Sequence, residues 1–117
     1  KTMEDVLEKI NQTPGVEASL IVGKDGLLIT SLGDAEPDPD FLGAETAELL
    51  QAAEAGMQEK FEKGELGMMS LEAENGHIFL KSINEVTYLM VLTNTDVSLG
   101  MVRYTINNAS KTLKEQL

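Results

Sequence analysis

Apolar residues at the start of the chain recur at helical spacing. Met3, Val6, Leu7 and Ile10 share one face of a helix predicted over residues 3–12. Thr2 stands as its N-cap with Asp5 three residues on, and Thr13-Pro14-Gly15 stops it. The spacing then shortens: Val16 to Val22 and Leu27 to Leu32 read as β-strands. Between them, Gly23-Lys24-Asp25-Gly26 carries the Asp-Gly pair of a tight hairpin. This turn lacks Walker spacing and joins two strands, so it reads as a turn and not as a phosphate cradle. Gly33 to Asp40 is a polar loop with two prolines. Three further strands are predicted over residues 66–73, 77–82 and 86–93, with Asn75-Gly76 and Asn84-Glu85 as hairpin turns. Val86 to Leu92 is almost continuously apolar, the pattern of a central strand covered on both faces. A final helix over residues 99–115 follows the candidate caps Asp96 and Ser98. It carries one clean stripe of Leu99, Val102, Ile106, Ala109 and Leu113.

The longest helical segment, residues 41–63, does not show such a narrow stripe. Phe41, Leu42, Ala44, Ala47, Leu49, Leu50, Ala52, Ala53, Ala55, Met57 and Phe61 cover more than one face, and Glu45, Glu48, Gln51, Glu59 and Glu62 keep a polar stripe. A surface this broad fits packing on two things, the chain's own sheet and a partner. It equally fits a helix rich in alanine for propensity alone. Gly64 stands as its C-terminal stop. The next strand begins with Met68 and Met69, and Leu71 follows; as a sheet edge it would be sticky unless paired with another chain.

Helix, strand, strand, helix, strand, strand, strand, helix is the predicted order, with tight hairpins between most strand neighbours. It implies a three-layer α/β sandwich around a mostly antiparallel sheet of five strands. The 117 residues suit a single domain over 1–117. Twenty acidic residues against nine basic ones give a net charge of −11, which repels nucleic acid and anionic bilayers alike. Cysteine is absent, which excludes disulfides, thiol nucleophiles and thiolate zinc sites. No apolar run approaches a membrane span and no signal peptide is visible, so a cytoplasmic protein is expected. Lys1 is not an initiator, so the native N-terminus is expected to be trimmed or to lie outside the sequence.

Candidate chemistry is sparse. His77 is the one histidine and reads as a surface strand residue. Asp34, Glu36, Asp38, Asp40 and Glu45 imitate the spacing of a calcium loop. However, Pro39 occupies the place where such a loop turns on a glycine, so they read as a solvated acidic loop. No catalytic residue, cofactor or metal is assigned.

The chain resembles the Roadblock/dynein light chain family, especially its MglB-like bacterial and archaeal members, over about residues 3–116. The resemblance rests on Gly15-Val16-Glu17-Ala18-Ser19-Leu20-Ile21-Val22 and Asp25-Gly26-Leu27-Leu28-Ile29. It also rests on the stretch from Tyr88-Leu89-Met90-Val91-Leu92-Thr93 to Leu99-Gly100-Met101-Val102-Arg103, and on the order of elements. One departure is Gly23-Lys24, where members often carry an acidic residue. The resemblance implies a Roadblock/profilin-like sheet with the long helix on one face and the two terminal helices on the other. It further implies a homodimer in which third strands pair edge to edge and long helices pack together. That arrangement would place Leu49, Leu50, Ala53, Met57, Phe61, Met68, Met69 and Leu71 at the dimer interface. Family members regulate or scaffold small Ras-like GTPases or dynein-type motors; Glu45, Glu48, Glu59 and Glu62 would supply charge facing a GTPase. Arg103 is assigned no arginine-finger role. The alternative is a small-molecule sensor module of profilin, PAS or GAF type, which needs an interior pocket with polar anchors.

Overall fold

The computed structural model describes residues 2–117. Helix α1 covers Met3–Asn11. The Asp5 backbone N–H donates to Thr2 Oγ1 at 3.1 Å and the Thr2 N–H to Asp5 Oδ2 at 3.0 Å, the reciprocal cap read from the sequence. Strands β1 (Val16–Gly23) and β2 (Leu28–Gly33) follow, then α2 (Pro39–Ala55), β3 (Met69–Ala73), β4 (Gly76–Ser82), β5 (Thr87–Thr93) and α3 (Leu99–Gln116). At the β1–β2 turn Gly26 adopts φ 92°, and its Cα side lies against Ala44, where a built Cβ would stand 3.4 Å from the α2 backbone.

The five strands run in the order β2-β1-β5-β4-β3, and every paired strand is antiparallel. β5 lies at the centre and is buried along its whole length, as its unbroken apolar run predicts. Alternation then separates two cores. Ile21, Phe79, Leu89 and Val91 face Val6, Leu7 and Ile10 of α1 and Val102, Ile106 and Leu113 of α3. Leu20, Val22, Leu80, Tyr88, Met90 and Leu92 face Leu42, Ala47 and Leu50 of α2. This is the three-layer sandwich, one long helix on one face and two helices on the other. Tyr88 pins the α2 layer: its hydroxyl donates to the Gly43 carbonyl at 2.8 Å and lies 2.7 Å from Thr46 Oγ1. Burial pushes this phenol above its ordinary value of 10.0, with the Thr46 hydrogen bond pulling it partly back.

Two predicted boundaries move. The helix over residues 41–63 starts earlier and ends at Ala55; a π-helical turn, Gly56–Lys60, completes it. There Phe61 N donates to the Gly56 carbonyl at 2.9 Å and Lys63 N to the Met57 carbonyl at 2.8 Å. Glu62 takes a left-handed φ of 54°, so it lies past the helix and not on its stripe. The predicted third strand begins at Met69, not at residue 66, because the preceding segment is tied elsewhere: Lys81 Nζ donates to the Gly67 carbonyl at 2.9 Å.

Candidate functional site

Helix α2 packs on β1 and β2, so the β4–β3 half of the same sheet face receives little cover from it. On that half Met69 stands opposite Leu80 and Leu71 opposite Ile78, and cross-strand pairs share a face. Met69, Ile78 and Leu66 are only partly buried against the α2-side core. Leu71 is 36% exposed, and Leu49 (45%) on α2 and Phe61 (63%) after the π-turn project as well. Ala53 and Met57 are half-buried on α2 and the π-turn. The π-turn sets the place of Phe61: a Cβ on Gly56 would stand 3.1 Å from the Phe61 ring, so the absent side chain lets the ring close on the backbone. β3, the strand beside this surface, is a sheet edge and presents unpaired backbone groups.

Two residues expected at a dimer interface do not belong to this band. Leu50 is fully buried between α2 and the sheet, because it points from α2 directly into the chain's own core. Met68 packs with the α1–α3 core, since it immediately precedes Met69 on an extended backbone and so turns to the opposite face. The remaining residues of that set, Leu49, Ala53, Met57, Phe61, Met69 and Leu71, are exposed or half-buried.

Glu45 and Glu48 are exposed on α2, and Glu59 is exposed on the π-turn. Glu62 is exposed too, but its left-handed backbone removes it from the helical row expected of the four. His77 also departs from the expected surface position. It is half-buried with its ring edge-on to Phe79 at 6.4 Å, and its Nδ1 is buried without a hydrogen-bond partner. Among the described residues no three His, Asp or Glu side chains converge as metal ligands would, and no helix is long and apolar enough to cross a membrane. The exposed features of this face are therefore apolar contact, an open strand edge and carboxylates on the helix beside them. Such a set of groups is suited to association.

Comparison with known proteins agrees with this geometry. The family model of the Roadblock/LC7 domain matches residues 2–93. An uncharacterized protein of Methanocaldococcus jannaschii, MJ1340, is 34% identical over 112 residues, covering 96% of this chain and 96% of the relative. Among solved structures, a Roadblock/LC7 domain from Streptomyces avermitilis superposes with a TM-score of 0.89 at 14% identity, covering 99% of this chain and 98% of that one. Myxococcus xanthus MglB superposes with a TM-score of 0.87 at 24% identity, covering 97% and 92%.

Proposed function

Because the chain belongs to the Roadblock/LC7 family, we propose that it is a homodimeric, non-enzymatic regulator or scaffold of a small Ras-like GTPase, working in the cytoplasm. The observation that carries the reading is the apolar band of Leu49, Phe61 and Leu71 beside the open edge of β3. Leaving such a band in water is costly, and edge strands of this kind are sites of chain-to-chain pairing. Two copies joined through β3 and α2 would cover both, and stable interfaces typically bury about 1,600 Å². Met57 and Met69 suit it, since thioether side chains adapt to an opposing surface.

The partner class follows from the resemblance to MglB-like regulators. Glu45 and Glu48 on α2, and Glu59 beyond it, would meet a basic patch on the GTPase. Such exposed charges set encounter rate more than affinity, so association slows as salt rises. The reading assigns the chain neither catalysis nor a metal.

A pull-down of the source organism's Ras-like GTPases, each loaded with GTP or GDP, tests the reading directly. The expected result is capture of one GTPase with a preference between nucleotide states, because the switch loops differ between them. Capture of none in either state, together with a small metabolite that raises the melting temperature, would replace this reading with the sensor module.

A further inference from the structure

We infer that the cleft at the end of the sheet marked by the β4–β5 turn is a binding site for a phosphorylated polar small molecule, of the size of a sugar phosphate. The cleft encloses about 960 Å³, near the top of the range for small-ligand sites and far more than a lone phosphate ion fills. It lies between the two helical layers. Glu54 of α2 and Gln58 of the π-turn line one side, and Lys111 and Lys114 of α3 line the other. Lys24 N donates to the Val86 carbonyl at 2.8 Å, so the β1–β2 and β4–β5 turns are tied together here. The bond from Lys81 Nζ to the Gly67 carbonyl holds the segment before β3 against β4 at the same place.

Four of the chain's nine basic residues line this cleft, against three of its twenty acidic ones. Glu54 is neutralised by Lys24 at 3.1 Å, a pair whose side chains are only 24% and 17% exposed. Glu65 and Glu85 are exposed, where solvent screens a carboxylate. Lys111 and Lys114 stand three residues apart on one face of α3 and make no ion pair among the described residues. Glu115 follows them but does not line the cleft. Lys24 and Lys81 each spend one of three ammonium donors on the bonds given, so two remain to each. Asn84 Oδ1 accepts from the Val86 and Thr87 N–H groups and from the Thr87 hydroxyl, which leaves the amide nitrogen as the group available to a ligand.

The cations are ammonium point charges from the β1–β2 turn, β4 and α3, and no guanidinium lines the cleft. Separate charges from several directions suit the tetrahedral oxygens of a phosphate, whereas a planar carboxylate is matched best by the arginine fork. The net charge of −11 keeps duplexes and anionic bilayers away. At physiological salt that field is screened beyond roughly 8 Å, so a small anion inside the cleft responds to the lysines around it. Gln58 and Asn84 supply amides for the hydroxyls of the ligand's body. The inference does not rest on the proposed GTPase reading, which is decided by capture of a GTPase.

The probe is ribose 5-phosphate, titrated into the isotope-labelled full chain at about 0.15 M salt beside ribose and inorganic phosphate. Ribose 5-phosphate should give shifts centred on Lys24, Asn84, Lys111 and Lys114 that saturate by about 10 mM. Ribose should give none, and inorganic phosphate should bind severalfold more weakly. The double variant Lys111→Gln, Lys114→Gln should weaken ribose 5-phosphate about three- to tenfold. Its melting temperature without ligand should stay as in the parent chain, because both side chains are exposed. The double variant Lys9→Gln, Arg103→Gln makes the same change in net charge outside the cleft and should leave binding unaltered. An equal loss in that control, equal binding of inorganic phosphate, or no saturable shift in the parent chain would overturn the assignment.

Discussion

Leu49 and Leu50 are adjacent, chemically identical and opposite in consequence. One helical step of about 100° turns Leu50 fully into the core and leaves Leu49 45% exposed. Leu50→Ala should destabilise the folded chain by about 2–5 kcal/mol, through lost burial and the cavity left behind. Leu49→Ala should leave the monomer's stability nearly unchanged while weakening self-association. Urea denaturation of both variants, read beside sedimentation, separates the two effects. The sequence could not divide this pair, because a helix apolar on several sides has no unique inward face until its sheet is placed. Tyr88 supports a different measurement. Its phenol is held above its ordinary value by burial, so the folded state keeps the proton after the unfolded chain has released it. Stability is therefore fully present below pH 10 and falls as pH rises above it, by up to about 1.4 kcal/mol for each further pH unit. Tyr88→Phe should cost about 1 kcal/mol at neutral pH through its lost hydrogen bonds. It should also flatten this alkaline fall, which thermal unfolding between pH 9 and 11 would show. An equally steep fall in Tyr88→Phe would place the titration elsewhere.

Among the elements, α1, β5 and α3 were legible because each carries an unambiguous pattern: a capped amphipathic stripe, an unbroken apolar run, a second stripe behind Ser98. The end of α2 was not. Gly56 sits in an alanine-rich stretch where a single glycine reads as a tolerated weakness, and nothing local announces that the helix widens there. The consequence reaches Phe61, which leaves the helical row and lies back on Gly56. Gly56→Ala should raise helix propensity by about 1 kcal/mol and displace the exposed Phe61 ring. The expected outcome is unchanged or higher helix content by circular dichroism, with weaker self-association by sedimentation. β3 carries a simpler test. Leu71→Lys puts a charge on the edge strand's apolar face and should shift the proposed dimer to monomer while the fold survives, since Leu71 is 36% exposed. A wild-type chain that sediments as a monomer at micromolar concentration would remove the dimer altogether.

For the whole molecule, the layers and strand directions followed from hairpin turns and alternation, and the resemblance anticipated which helices share a face. The location of the proposed association surface was legible only in part. Apolar breadth in residues 41–63 pointed to α2, but α2's position over β1 and β2, with β4 and β3 left open, is a tertiary fact. At this scale the charge argument becomes kinetic. Raising salt from about 0.05 to 0.5 M should slow the proposed association with a GTPase severalfold with little change in dissociation, measured by stopped flow. The strand order carries a last consequence, for biosynthesis. β1 finds one neighbour, β2, across a short turn, but its other neighbour, β5, is made only after α2, β3 and β4. Until Thr93 has emerged from the ribosome, β2–β1 and β4–β3 are two separate ribbons, and neither core has the strand that both share. The nascent chain must therefore wait for β5, made after both ribbons, to bring the halves together and complete the two cores.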